Sequence, residues 1–346
     1  MARFSQDDGL WARVLIGMAL AVAVGHSAQA ADRAAELEAK TRALSQAGSA
    51  VVGVHATAVD NARSIETLGR ERQGSGVVIG DDGLVLTIGY LILEADHVDL
   101  VVDGQRTVPA RVIAYDLATG FGLLKALAPM RVAPARLGSS SGLSGDQPLM
   151  IASGGSDGDL SIARVVDQRG FSGYWEYHID GALFTAPARS DHSGASLFNA
   201  DGELLGIGSL VVNDALGPGQ PRMAGNMFVP IDLLKPILAE LLEQGASRSS
   251  QRAWIGLNCV EQEGVVRVVR VTRDGPADEA GLRPGDRILR IDGTPVSGLE
   301  SFYKALWQGA GVEREVRLDI RRGVEFQTLR VMTTDRQKTL RKPQGI

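Results

Sequence analysis

The chain has 346 residues, a length that fits two domains better than one or four. Its 36 Lys and Arg against 41 Asp and Glu leave a formal charge of −5 without a long basic run, which argues against a nucleic-acid partner. With 44% hydrophobic and 22% charged residues the chain is globular rather than disordered, and a single Cys excludes an intrachain disulfide or a Cys-rich metal centre. None of the five His stands at His-x-x-x-His spacing, so neither a metal nor another cofactor is expected.

In chain order, Arg3 and Arg13 precede an apolar run from Val14 to Gly25, and Ala28-Gln29-Ala30 follows as a small-x-small cleavage signature. Residues 1–30 therefore read as a secretory signal peptide cleaved near Ala30. The run of 12 residues falls short of the roughly 20 that span a bilayer. An uncleaved N-terminal anchor is the alternative, and both readings export the remainder. Residues 31–48 predict a helix with a thin apolar stripe, Leu37 and Leu44, stopped by Gly48. It packs either on the next domain or on another subunit.

From about residue 49 to 244, short β-prone runs alternate with Gly/Asp turns, among them Asp81-Asp82-Gly83 and Ala200-Asp201-Gly202. That texture predicts a barrel or sandwich. One helix, Pro230–Glu243, is expected to close it, because Leu233, Leu234, Ile237, Leu238, Leu241 and Leu242 recur at helical spacing. Residues 245–252, Gly-Ala-Ser-Arg-Ser-Ser-Gln-Arg, read as a polar linker. A second, smaller domain spans 253–335, and 336–346 form a basic, polar tail expected to be mobile.

The smaller domain carries Gly275-Pro276-Ala277 through Ala280-Gly281-Leu282-Arg283-Pro284-Gly285-Asp286, then Ile291-Asp292-Gly293-Thr294-Pro295-Val296. This run closely resembles the core of bacterial PDZ modules. The residues also have local reasons: Pro276 suits a helix start, Gly281 a left-handed helix end, and Asp292-Gly293 a hairpin. The resemblance implies a groove that takes extended peptides, usually C-termini, by strand addition. It places the carboxylate-binding loop at Trp254, Ile255, Gly256 and Leu257, where Gly256 lets successive N–H groups converge on an anion. The opposite wall falls at the helix Leu299–Trp307, with Phe302, Tyr303 and Leu306 as pocket residues; as an alternative these are simply core. Cys259 reads as a small buried hydrophobe.

The larger domain resembles the HtrA/Deg-type serine proteases. The matching segments are Gly74-Ser75-Gly76-Val77-Val78-Ile79, Gly83 to Thr87, Asp116 to Leu124, Ala186 to Leu197, Asp201 to Ile207, and Phe228-Val229-Pro230. Together the two resemblances imply a mainly β chain: a trypsin-like double β-barrel followed by an α+β PDZ domain. Of the catalytic triad, the nucleophile position is kept as Ser193. Tyr90 occupies the position of the His, and Gly120 that of the Asp. A phenol with a pKa of about 10 is a poor base near neutrality, and glycine orients nothing. The oxyanion loop reads Asp191-His192-Ser193, with a carboxylate at a position that should stabilise negative charge.

Two functions compete on these residues. One is an exported, periplasmic pseudoprotease that binds peptide C-termini and unfolded proteins, as an adaptor or regulator in envelope protein quality control. The other is an active endopeptidase in which Ser193 uses a non-standard base, His192 or His97 with Asp96 or Asp99 nearby. A purely architectural subunit with a closed groove is a third reading. The family resemblance implies oligomers, trimers in particular, either of this chain alone or mixed with active relatives. The apolar C-terminus Ile346 suggests self-docking as a further option.

Overall fold

The computed structural model describes residues 33–145, 147–309 and 311–341. The expected signal segment and the residues after Arg341, Ile346 included, lie outside them. Helix α1 covers 33–49 and is mostly exposed; only its last turn, at Ala47, joins the core of the neighbouring barrel.

Six strands build the first barrel: β1 (Val51–Ala58), β2 (Glu71–Gly80), β3 (Leu84–Ile88), β4 (Ala95–Val102), β5 (Arg106–Tyr115) and β6 (Phe121–Ala126). Their order is β1-β2-β3-β6-β5-β4, and β1 closes the ring by pairing with both β2 and β4. Two short helices, α2 (Ile65–Leu68) and α3 (Gly89–Ile92), lie in its connections. The sequence drives closure because the inward positions are apolar, Val, Leu, Ile and Phe interleaved with small Ala, and Leu86, Leu100, Leu123 and Phe121 are fully buried. The Asp81-Asp82-Gly83 turn joins β2 to β3, and Gly83 takes the left-handed conformation it needs, φ +81°.

The second barrel follows as β7 (Arg136–Leu137), β8 (Leu149–Ala152), β9 (Leu160–Gly173), β10 (Tyr177–Ala186), β11 (Ser196–Phe198), β12 (Glu203–Val212) and β13 (Gly225–Pro230). Its order β11-β8-β9-β10-β13-β12 closes through the β11–β12 pairing, and β7 adds to β12 in parallel. The helix expected over Pro230–Glu243 is split. A 3-10 turn at Ile231–Leu233 precedes α4 (Leu238–Gln244). Pro236 accounts for the break: it has no N–H to give and disfavours a helical residue before it.

The smaller domain holds β14 (Ala253–Trp254), β15 (Leu257–Gln262), β16 (Val265–Val271), α5 (Pro276–Glu279), β17 (Arg287–Ile291), β18 (Thr294–Pro295), α6 (Leu299–Trp307), β19 (Glu315–Arg322), β20 (Glu325–Met332) and β21 (Thr334–Asp335). The sheet runs β15-β16-β17-β19-β20, which leaves β15 as an edge strand. Strand β19 shows the alternation that builds it: Val316, Leu318 and Ile320 point inward between charged residues. Helix α6 buries Leu299, Phe302, Tyr303 and Leu306, the 3.6-residue face of an amphipathic helix. Asp286, buried, accepts from Arg283 N and from the Arg322 guanidinium, and so pins the Pro-Gly-Asp turn.

The polar segment 245–252 is anchored rather than loose. Ser247 and Ser250 are buried and both donate to Asp116 Oδ1, a carboxylate that also accepts from Thr119 N and Oγ1. Arg252 lies over the Trp307 ring at 4.1 Å. After β21, Arg336–Thr339 form a 3-10 turn, and Arg341 N donates to Glu94 Oε1 at 2.7 Å. Among the described residues no helix is long and apolar enough to cross a membrane.

Candidate active site and peptide groove

The two barrels bring Ser193 and Tyr90 together. Ser193 sits in the loop between β10 and β11, and Tyr90 on α3 of the other barrel. The Tyr90 hydroxyl lies 2.8 Å from Ser193 Oγ and 2.9 Å from the Ser209 carbonyl oxygen. The phenol donates to the Ser209 carbonyl, which can only accept, while between the two hydroxyls either can be the donor. Burial pushes the Tyr90 phenol up to about 12, with the Ser193 contact opposing the shift. At neutral pH it therefore keeps its proton and cannot accept that of Ser193.

Gly120 has φ +84°, and a Cβ built there would stand 3.2 Å from the Tyr177 hydroxyl. That hydroxyl in turn donates to Thr119 O. The neighbouring carboxylate, Asp116, is committed to Thr119, Ser247 and Ser250. It orients the domain junction and not a base.

The oxyanion loop is held by a charge network. Arg189 Nε donates to Asp191 Oδ1 at 2.8 Å, its Nη2 pairs with Asp191 Oδ2, and Ser153 Oγ donates to the same oxygen. Arg189 thus keeps the Asp191 carboxyl below its usual range, helped by Ser153 and by the Asp191 backbone N–H. The family's loop would offer that N–H to an oxyanion. Here it faces a carboxylate of its own residue. Arg189 was not singled out from the sequence, although it lies two residues from Asp191.

His192 Nδ1 donates to Ser190 O at 2.9 Å, and burial lowers the ring's proton affinity. His97 lies on β4, 80% exposed at its side chain, with Asp96 at 3.4 Å. Among the described residues neither ring is hydrogen-bonded to Ser193. Gly194 (φ +74°) is fixed by packing, since a Cβ there would come 1.9 Å from Ser75 O.

In the smaller domain, Ile255, Gly256 and Leu257 form a turn with Gly256 at φ +85°, between β14 and β15. Ile255, Leu257, Phe302, Tyr303 and Leu306 are buried in one core, and Trp254 is buried beside it. Cys259 is buried as well, which raises its thiol above the ordinary range. Sequence reading did not single out what faces this loop. The tip of the β9–β10 hairpin, Tyr174-Trp175-Glu176, lies against it. Glu176 Oε2 accepts from Ile255 N at 3.1 Å and Oε1 from Leu257 N at 2.6 Å. Burial pushes the Glu176 carboxyl up to about 7 against the opposing N–H groups of Leu257, Ile255 and Gly256. A signal was present. The chain has Phe 8, Trp 4 and Tyr 5, yet Phe171, Tyr174, Trp175 and Tyr177 fall within seven residues.

Among the described residues one carboxylate and imidazole group could hold a cation: His178, Asp180 and Glu300, whose ligand atoms lie within 4.8 Å of one another. Lys304 Nζ already sits 3.6 Å from Asp180 Oδ1 and 2.6 Å from Glu300 Oε1 and supplies the positive charge.

Comparison with known proteins gives the family and the fold. Residues 74–207 match the trypsin-like peptidase domain, and 253–333 match the PDZ domain. A Synechocystis protein named as serine protease HhoA is 28% identical over 293 residues, 78% of this chain and 74% of the relative. DegP-like periplasmic serine endoproteases, so named, of Pseudomonas fulva and Hahella chejuensis are each 28% identical, over 72% and 66% of this chain. The chain spans about half the length of these two, 54% and 50%. Among solved structures, the HtrA-type protease AlgW with a tripeptide superposes with TM-score 0.52 at 20% identity, covering 86% of this chain and 97% of that one. A serine endoprotease from Yersinia pestis gives 0.51 at 21%, with the same coverage of both chains. The chain is thus an HtrA/Deg-type serine protease homologue, a trypsin-like double barrel followed by a PDZ domain.

Proposed function

We propose that the chain is an exported pseudoprotease. It binds peptide C-termini or unfolded segments through its PDZ domain and acts as an adaptor or regulator in the cell envelope. The observation that carries this reading is the Tyr90–Ser193 contact. A phenol whose proton is held up to about 12 replaces the base, and the glycine position beside it has no carboxylate. Asp191, a carboxylate paired with Arg189, occupies the sequence position of the family's oxyanion-loop glycine. The periplasmic relatives and the sequence of residues 1–30 support export. AlgW, solved with a tripeptide, supports peptide binding. The site residues proposed for that binding are Trp254, Ile255, Gly256 and Leu257, with Phe302, Tyr303 and Leu306 beneath them.

A fluorophosphonate probe tests the claim at the serine itself. The account expects equal, background labelling of the full chain and of Ser193→Ala. Labelling of the parent that Ser193→Ala abolishes would mean an activated serine, and the endopeptidase reading would replace this one.

A further inference from the structure

Three contacts made by the β9–β10 hairpin are those a peptide ligand makes. First, a carboxylate, that of Glu176, accepts from Ile255 N and Leu257 N in the turn built around Gly256. Second, the main chain of the tip takes a hydrogen bond from the edge strand: Cys259 N of β15 donates to Tyr174 O at 2.8 Å. Tyr174 and Glu176 lie in the turn of the hairpin, with Glu176 at φ +57°, so the side-chain carboxylate and the Tyr174 carbonyl reach the groove from one tip. Third, the tip is clasped by α6. The Tyr303 hydroxyl donates to Gly173 O at 2.8 Å and accepts from Glu176 N at 3.3 Å. Trp175 stacks on Tyr177 at 5.5 Å, with the rings 15° from parallel, which stiffens the tip from its own side. Glu176 itself is buried.

A terminal carboxylate needs the N–H groups that Glu176 already occupies, and an added strand needs the β15 edge that Tyr174 already uses. Both cannot be present together. We propose that Tyr174-Trp175-Glu176 is a resident internal ligand of this chain's own PDZ groove, with the Glu176 side chain standing in for a C-terminal carboxylate. An extended peptide with a free C-terminus then binds only by displacing the hairpin. The inference rests on the reading of the groove as a peptide site. Its consequence is quantitative: the apparent affinity for a peptide falls by the fraction of molecules whose groove is open.

The test uses the full chain and a fluorescein-labelled decapeptide ending in Val, with its C-terminally amidated twin as control. Binding is read by anisotropy for the parent, Glu176→Gln and Glu176→Asp. Backbone amide exchange at Ile255, Leu257 and Cys259 is read without peptide. Glu176→Gln keeps the shape but turns an NH2 group toward one of the two N–H donors. Glu176→Asp keeps the charge and shortens the reach, and serves if the first variant folds poorly. We expect both variants to bind the free-acid peptide at least about 10-fold more tightly than the parent, to ignore the amide, and to exchange the three amides faster. Equal affinity and equal exchange in all three proteins would overturn the internal-ligand inference while leaving peptide binding intact. Faster exchange with no binding by any form would instead overturn the groove's reading as a peptide site, and the displacement model with it.

Discussion

Tyr90 is the residue on which the old catalytic centre now turns. Its hydroxyl bridges the two barrels by touching Ser193 Oγ and Ser209 O, so it reads as a structural link between them. Tyr90→Phe should lose about 1 kcal/mol of stability in urea titrations, the usual net worth of such a hydrogen bond. An unchanged midpoint would show the bridge to be idle. Rebuilding the triad carboxylate is expected to fail for a steric reason. Gly120→Asp puts a side chain on a residue at φ +84° and against Tyr177, and should cost about 1–3 kcal/mol. The triad substitutions were legible in the sequence because the flanking motifs fix the register. What replaced the triad was not: the Arg189–Asp191 pair depends on how one loop turns both side chains toward Ser153, and Asp116 is drawn to Ser247 and Ser250, 131 and 134 residues along the chain.

At the scale of elements, the β9–β10 hairpin joins the barrels to the smaller domain, and Glu176 makes that junction pH-dependent. Its carboxyl is raised from 4.5 to about 7, chiefly by burial, with Leu257, Ile255 and Gly256 N–H and the Arg336 charge opposing. Between those values the folded chain binds the proton more tightly than the unfolded chain. The contribution is therefore fully present below about 4.5 and is lost as pH rises through about 7. The stability advantage of the parent over Glu176→Gln should shrink by about 3 kcal/mol between pH 4.5 and 8. A difference that stays flat across this range would show that Glu176 does not ionise in place. Elements were unevenly legible. The paired β-runs and the α6 face followed from periodicity. The helix expected over Pro230–Glu243 is interrupted around Pro236, which apolar spacing alone does not register. The long β9 is hard to read because few of its residues are buried, and β10 because its buried runs show no alternation and are interrupted at Asp180-Gly181.

At the scale of the molecule, barrels and PDZ domain are tied at several separate places. Asp116 holds Ser247 and Ser250, Glu176 holds Ile255 and Leu257, Arg270 Nη2 meets Glu66 Oε2 at 2.6 Å, and Arg341 N reaches Glu94. The first two ties are buried and the Arg270 pair is exposed, so the buried ones carry the coupling. The parent should then unfold in one calorimetric transition, and Asp116→Ala should separate it into two. Two transitions in the parent would mean that the domains are independent. The order of domains was readable from motifs alone, whereas their docking was not, since it depends on one hairpin tip finding one loop. The central claim, that the protease scaffold has given up its chemistry, is tested most directly by casein turnover. The purified chain without its first 30 residues is compared with its Ser193→Ala form at equal concentration. The account predicts the same background rate in both. Turnover by the parent that Ser193→Ala removes would contradict it and would make Ser193 a working nucleophile.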